Sequence, residues 1–544
     1  MFTHRHLVFW FCVLGLGVCL ALALRHGHGW FWGVGGFGAL VVLGVHDMAQ
    51  KRSSVRRNYP VAAWLRFLFE GIRPEIRQYI IEDDQTELPF SRTQRSIIYQ
   101  RAKGELDKRP FGTQQAVYGT GYEWINHSLA PVEIPSHDFR VQIGGAACGK
   151  PYSASVFNIS AMSFGALSAN AIQALNEGAR RGGFYHDTGE GSISRWHRVN
   201  GGDLVWELGS GYFGCRNDKG RFDLGRFREN AASDQVKMIE VKLSQGAKPG
   251  QGGILPGAKV TAEIAEARGV PVGTECVSPA RHSAFDSPRG LLEFVQTLRE
   301  ASGGKPTGFK LAIGHPWEWF AIAKAMQETG ILPDFIVVDG GEGGTGAAPL
   351  EFTDHVGVPL REGLMLVHNT LVGLNLRQAI RIGAAGKIVT GFDLARTLAI
   401  GADWCNAARG FMFALGCIQS QSCHTDKCPT GVATQDKQRQ KALDVPDKAA
   451  RVQRFHEGTL HALSDLLAAA GLSHPDQLGP EHVIRRVSPT EVRSLAALYA
   501  WVQPGELLEG EARHAVFRTF WREADSDSFS VPADLLARRA TRMR

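Results

Sequence analysis

No long block of lysine or arginine occurs anywhere in the 544 residues, and 60 basic against 54 acidic side chains leave a formal charge of only +6. A nucleic-acid footprint needs cations gathered on one face, so a nucleic-acid partner is not indicated. A G-x-G-x-x-G run opening a strand–helix unit is also missing, and a nicotinamide-binding domain of the doubly wound type is not supported. Cysteine is sparse: of nine, six (Cys12, Cys19, Cys148, Cys215, Cys276 and Cys405) are scattered. The other three are close together and carry most of the chemical signal.

What is present is ordinary globular composition, 44% hydrophobic and 21% charged, enough to bury a large core. The length allows two or three domains, or one barrel of ~250 residues with attachments. Glycine is abundant at 63 residues, and many lie in loops such as Gly340–Gly346. Loops of this kind let backbone N–H groups approach a phosphate or an anionic substrate.

Leu7 to Leu24 carries no charge over 18 residues, about the lower limit for crossing a bilayer. A second apolar run, Trp30 to Val45, opens with Trp30, Phe31 and Trp32 and is followed by Lys51, Arg52, Arg56 and Arg57. Aromatic residues at interface depth and cations on the cytoplasmic side predict a two-helix hairpin over 1–50 in the inner (cytoplasmic) membrane, both ends and the catalytic domain facing the cytoplasm. A cleaved signal peptide, with Ala21-Leu22-Ala23 as the cleavage site, competes with this reading but leaves the second run unexplained.

Residues 51–140 read as a linker and small helical subdomain, with helical spacing from Trp64 to Ile80 broken at Pro74. Short apolar runs follow at Ser155–Ile159, Met238–Val241, Gly308–Ile313, Phe335–Val338, Lys387–Val389 and Trp404–Ala408. Amphipathic stretches alternate with them, at Ser168–Arg181, Ala258–Ala267, Leu291–Ala301 and Trp317–Thr329. That alternation predicts an α/β fold with a parallel sheet, and a span of roughly 280 residues favours a (β/α)8 barrel over 141–440. A helical C-terminal extension is expected over 441–544, built around Lys448–Ala470, with a loosely ordered polar tail from about Asp525.

The cysteine segment runs Gly416-Cys417-Ile418-Gln419-Ser420-Gln421-Ser422-Cys423-His424-Thr425-Asp426-Lys427-Cys428-Pro429-Thr430-Gly431. Three thiolates at C-x5-C-x4-C followed by Pro can hold an iron–sulfur cluster. A four-iron cube needs a fourth ligand, so either the cluster has three irons or one of the scattered cysteines joins it. A Cys3His zinc site would need His424, whose side chain points away from that of adjacent Cys423, and a purely structural segment without metal is the third alternative.

Three segments together resemble the synthase domain of glutamate synthases: Lys242-Leu243-Ser244-Gln245-Gly246-Ala247-Lys248-Pro249-Gly250-Gln251-Gly252-Gly253-Ile254-Leu255-Pro256-Gly257, then Asp339–Pro349, then the cysteine segment. The resemblance covers about Tyr152 to Arg439 and implies an FMN-binding barrel with a 3Fe-4S cluster on Cys417, Cys423 and Cys428. It implies that Met162, Ser163 and Gly165 lie against the flavin and that Lys310 stands beside its N1 and O2. Gly343, Gly344 and Thr345 in the glycine loop are expected at the cofactor as well. Thr390, Gly391 and Gly410, after the last two strands, are expected to offer backbone N–H groups to its phosphate. Lys248 and Arg268 look like the family's dicarboxylate clamp, and Glu190 like its carboxylate beside the imine carbon.

Complete members begin with a glutaminase domain and end with a β-helical one, so this chain looks like a stand-alone, membrane-tethered homologue. The expected activity is reductive amination of 2-oxoglutarate to L-glutamate, with electrons passing from the cluster to FMN. Ammonia would arrive free or from a separate glutaminase, and electrons from a ferredoxin or reductase subunit. The family usually has Gln, in the substrate region, where this chain has Ile254. That difference raises the alternative of another amine or amino-acid substrate, such as an N-substituted glutamate. The hairpin raises a further alternative, a membrane-anchored electron-transfer subunit.

Overall fold

The computed structural model describes residues 4–85, 88–510, 512–533 and 535. The chain divides into two compact units, Met1–Thr93 and Gln94–Arg544.

In the first unit the apolar runs form helices Leu7–His26 and Phe31–Ala49, long and apolar enough by length and composition to cross a membrane. They approach closely because glycines stand at the contacts. A Cβ on Gly15 would lie 2.6 Å from the Phe37 ring, and one on Gly44 2.3 Å from the Phe9 ring. Buried Asp47 accepts hydrogen bonds from the Val61 amide and the Trp64 indole, at 3.1 and 3.0 Å. Pro74 does not break the helix Ala62–Ile76. The chain stays helical past it and opens into a π-helical turn, Arg77–Ile81. The missing proline N–H is absorbed there rather than by a break.

The second unit is built on a closed barrel of eight parallel strands. In chain order these are β1 (Phe157–Ile159), β2 (His186–Asp187), β3 (Leu204–Leu208), β4 (Val236–Lys242), β5 (Thr307–Leu311), β6 (Phe335–Asp339), β7 (Arg381–Ala385) and β8 (Trp404–Ala407). The expected (β/α)8 architecture is therefore present. The helices follow local signals. Ser168 caps Ala169–Gly182, which ends at left-handed Gly183, and Ser287 with Pro288 opens Pro288–Ala301.

Lys387–Val389 is not a strand: the seventh strand lies just before it, in Arg381-Ile382-Gly383-Ala384-Ala385. Those small residues have weak β-propensity, and Trp404 packed over Gly383 supplies the bulk they lack. β2 and β3 also escaped the apolar-run criterion, β2 because it is two polar residues long.

The barrel's lower interior is apolar. Val205, Met238, Phe335, Val337, Trp404 and Tyr185 form one buried cluster with Ile143 and Ala154 of the hairpin Arg140–Ile143/Tyr152–Ser155. Beyond the barrel, helix Val445–Ala470 packs on Ala169–Gly182: a Cβ on Gly178 would lie 2.5 Å from Val452. The C-terminal extension also contains strands Val483–Ser488 and Glu491–Ser494, which form an antiparallel sheet with Glu123–Ile125. The expected loose tail is partly docked. The Ser526 hydroxyl donates to Glu328 at 2.6 Å, and Arg289 pairs with Asp527 at 2.7 Å. Its remainder, 534 and 536–544, lies outside the described residues.

Candidate active site

Charge collects where the barrel strands end. Asp187, Glu207, Glu240 and Lys310 are buried there, and Lys242 closes β4. The strand alternation that puts Met238 in the core puts Glu240 and Lys242 on the same side. Register then sets Glu207 beside Glu240, and Lys242 beside Lys310. The Lys310 ammonium does not reach solvent: it pairs with Glu207 and lies 3.2 Å from Glu240 Oε1. Burial disfavours its charge, but Glu207, Glu240 and Asp187 outweigh that and hold Lys310 protonated.

Glu190, in the loop after β2, lies above this layer. Its Oε2 is 2.9 Å from Lys242 Nζ and accepts from the Ser278 hydroxyl at 3.3 Å. Burial alone would raise its carboxyl, but the Lys242 ammonium outweighs burial, with Arg268 and Lys248 adding to it. The carboxyl is held down at about 2. Glu190, Lys248 and Arg268 are thus brought together, with Lys242 as a fourth member. Lys248 is buried, its ammonium donating to the Gly252 carbonyl at 2.7 Å. Burial lowers its pKa and Glu190 partly restores it. The Arg268 guanidinium is buried over the Phe213 ring, 5.1 Å from the centroid, and Nη2 donates to the Phe164 carbonyl at 3.1 Å.

Glycines let these pieces close on one another. A Cβ on Gly189 would stand 2.7 Å from the Ser163 amide, and one on Gly191 3.1 Å from Arg268 Nη2. Gly165, at φ +105°, lies against the same guanidinium. Met162, Ser163 and Gly165 therefore form a wall shared with the Glu190 loop. The helix that follows them begins at Ala169.

Ile254 lies differently from its expected place in the substrate region. It pairs with Val277 across a short antiparallel ladder, and both are exposed, at 47% and 53%. Alternation puts Gly253 and Ser278 on the Glu190 side, so the Ile254 side chain faces away from it.

The glycine loop packs tightly on the Lys248 segment. A Cβ on Gly343 would lie 2.7 Å from the Ala247 amide, and one on Gly344 2.9 Å from Arg409 Nη1. Thr345 is exposed, and Gly346 abuts Cys423, 3.2 Å from a Cβ to Cβ. Of the three residues expected at a phosphate, Thr390 is committed elsewhere. It caps helix Gly391–Ala399, and its amide donates to Asp393 Oδ2 at 3.0 Å. Gly391 and Gly410 stand in the first turns of helices Gly391–Ala399 and Arg409–Ala414, after β7 and β8. Lys387, after β7, and Arg409, next to Gly410, are cations near this end of the barrel. Burial lowers Lys387, and nearby Arg409 lowers it further. Burial also lowers Arg409, to about 10.

The three clustered cysteines converge. Burial pushes Cys417 up to about 12, and the Cys423 and Cys428 sulfurs add to it. Burial likewise raises Cys423, with Cys428 contributing. Burial would raise Cys428 too, but hydrogen bonds from the Ala433, Thr430 and Val432 amides and the Thr430 hydroxyl bring it below its ordinary value. Lys259 holds the loop by donating to the Cys423 carbonyl at 2.9 Å, and Tyr99 donates to the Cys417 carbonyl at 2.6 Å.

Sequence reasoning missed Lys242, Ser278 and the interior acids Asp187, Glu207 and Glu240. A signal existed in β4: Glu240 and Lys242 are charges two apart, on the same strand face as Met238, and charges there are rarely buried unless paired.

Residues 143–473 match the family described as the conserved region in glutamate synthase. The chain is 37% identical over 483 residues to the glutamate synthase large subunit-like protein YerD of Bacillus subtilis, covering 81% of this chain and 91% of that protein. It is 36% identical over 329 residues to the archaeal-type glutamate synthase (NADPH) of Thermotoga maritima, covering 60% of this chain and 62% of that one. To the archaeal glutamate synthase (NADPH) of Methanocaldococcus jannaschii it is 36% identical over 321 residues, covering 59% and 60%.

Proposed function

Since the chain belongs to the glutamate synthase family, we propose that this oxidoreductase reductively aminates 2-oxoglutarate, through 2-iminoglutarate, to L-glutamate. The observation that carries the reading is a charge imbalance. One ionised carboxylate, Glu190, is surrounded by Lys242, Lys248 and Arg268. The excess of two positive charges matches a dicarboxylate dianion, which Arg268 would grip through a planar fork and Lys248 as a compact charge.

FMN fits the barrel mouth. Lys387 and Arg409, cations whose charge burial disfavours although nearby acids such as Glu342 offset it in part, would meet an anionic phosphate beside the Gly410 helix turn. Lys310 offers a buried cation below. When bound, FMN supplies two-electron hydride chemistry. A 3Fe-4S cluster fits Cys417, Cys423 and Cys428, three mutually interacting sulfurs, each accepting at least one backbone N–H bond. Gly346 against Cys423 links the cluster segment to the glycine loop, which supports electron entry by that side.

Within this site Arg268 and Lys248 orient the oxo acid, and the Met162–Gly165 wall excludes water. Glu190, beside the substrate, exchanges a proton with the substrate nitrogen. Ammonia free in solution or released by a separate glutaminase, and a ferredoxin or reductase subunit as electron donor, complete the reaction. The two apolar helices tether the enzyme to the inner membrane, and resistance to alkaline carbonate extraction tests that placement. Because Ile254 faces away from Glu190, it gives no support to an N-substituted amine substrate.

Anaerobic mixing of the reduced holoenzyme with 2-oxoglutarate and ammonium is the test. Flavin reoxidation with formation of glutamate is expected. Reduced flavin that persists with both present overturns the reading.

A further inference from the structure

Beneath Glu190 the barrel holds more acid than base. Carboxyl oxygens of buried Asp187, Glu207 and Glu240 lie within 4.8 Å of one another, and Lys310 is the ammonium set among them. Burial raises Asp339, at the end of β6, as well, against Lys310 and the Gly246 amide, which donates to its Oδ2 at 2.9 Å. An uncompensated carboxylate in such a place is expensive, and it takes up a proton instead.

The ion pairs also form a continuous series. Lys310 Nζ contacts Glu207 and lies 3.2 Å from Glu240 Oε1. Glu207 Oε1 is 3.9 Å from Lys242 Nζ, and Lys242 Nζ is 2.9 Å from Glu190 Oε2. Acid and amine alternate from Glu240 through Lys310, Glu207 and Lys242 to Glu190.

We propose that this series is a proton path, in which a proton held on Glu240, or passed to it from the neighbouring Asp187 carboxyl, is delivered to Glu190 when substrate binds. The transfer conserves atoms and moves no electrons. Lys310 gives a proton to Glu207 and takes one from the Glu240 carboxyl; Lys242 gives a proton to Glu190 and takes one from Glu207. The result is a Glu240 carboxylate and a neutral Glu190, and both lysines end as ammonium. The 3.9 Å step is the longest and closes by a small swing of the Lys242 side chain.

Binding of the dianion supplies the direction. Its carboxylates engage Lys248 and Arg268, the charges that help Lys242 keep Glu190 ionised, so Glu190 then gains affinity for a proton. The acids behave accordingly. Burial, Glu240 and Glu207 raise Asp187, against Lys310 and the Gly189 amide. Burial and Glu207 raise Glu240, against Lys310. Tyr185, behind both acids, stays neutral because burial and their charges raise its pKa.

The delivery step rests on the reading of Glu190 as the group that exchanges a proton with the substrate; the stored proton does not. Infrared spectroscopy of the full-length holoenzyme at pH 7, without substrate, reads the store directly. A carboxylic-acid C=O band is expected, and it is expected to disappear in Glu240→Gln or in Asp187→Asn. Absence of the band in the unaltered enzyme, or its persistence in both variants, refutes the store. Hydrogen–deuterium exchange of that band reads the path. Lys242→Arg keeps the charge beside Glu190 but cannot release a proton, because the guanidinium is always charged. Exchange is expected to slow by about tenfold or more in Lys242→Arg. Equal rates in the variant and the unaltered enzyme refute the path. Neither readout depends on turnover of 2-oxoglutarate, so failure here is distinguishable from failure of the substrate assignment.

Discussion

Lys242 Nζ lies 2.9 Å from Glu190 Oε2, and this ion pair outweighs the burial that would otherwise protonate the carboxyl. Glu190 falls from an ordinary 4.5 to about 2 in the folded chain. A carboxyl depressed by folding contributes stability that is complete above its unfolded value and drains as pH falls towards its folded one. Urea unfolding midpoints should therefore drop between pH 4.5 and about 2. The drop should be smaller in Glu190→Gln, which has no proton to bind. The same variant should lose turnover by ~100-fold or more if Glu190 is the base.

Gly253 leaves no room for a side chain. A Cβ there would stand 2.3 Å from Glu190 Oε1. Gly253→Ala should displace the carboxylate and lower kcat/KM by about 100-fold, as misplacement of a reacting group by an ångström does. Steady-state kinetics beside a thermal melt separates this from unfolding.

Ile254, one residue on, should behave in the opposite way. Its side chain faces away from Glu190 and is exposed. Ile254→Gln should change kcat/KM and stability by less than about twofold and 0.5 kcal/mol respectively. A large gain in either would return residue 254 to the substrate region.

Replacing Cys417, Cys423 or Cys428 singly by Ser should remove iron and acid-labile sulfide together, because a three-iron cluster uses all three thiolates. Replacing Cys276, buried next to Arg268 Nη1 at 3.8 Å, should leave iron content unchanged. Elemental analysis of the purified variants decides both.

At the other end of the barrel, Arg299 Nε lies 2.9 Å from Asp334 Oδ2, both buried. Asp334 also accepts from the Gly145 and Thr307 amides, at 2.7 and 2.8 Å. Arg299→Ala leaves that carboxylate without its counter-charge and should cost ~3–5 kcal/mol of stability, seen in chemical denaturation.

The alternation of apolar runs and amphipathic helices, the two long apolar helices and the spacing of the three cysteines could be read from the sequence. Each is a local pattern, fixed by helix or strand period or by the reach of neighbouring thiols. Reading failed where bulk came from elsewhere, as at Gly383 under Trp404, or where a two-residue strand, His186–Asp187, carried no period to detect. The charges show the division best. Lys310 and Glu190 could be singled out, but not their partners. Glu207 meets Lys310 from 103 positions away. Lys242 joins Glu190 only because β4 ends under the loop that follows β2. Which charges pair depends on strand register and closure of the barrel, and so does whether residue 254 or its neighbours face the carboxylate. Those were decided by the tertiary structure, because burial and Coulomb energy depend on distance in space and not along the chain.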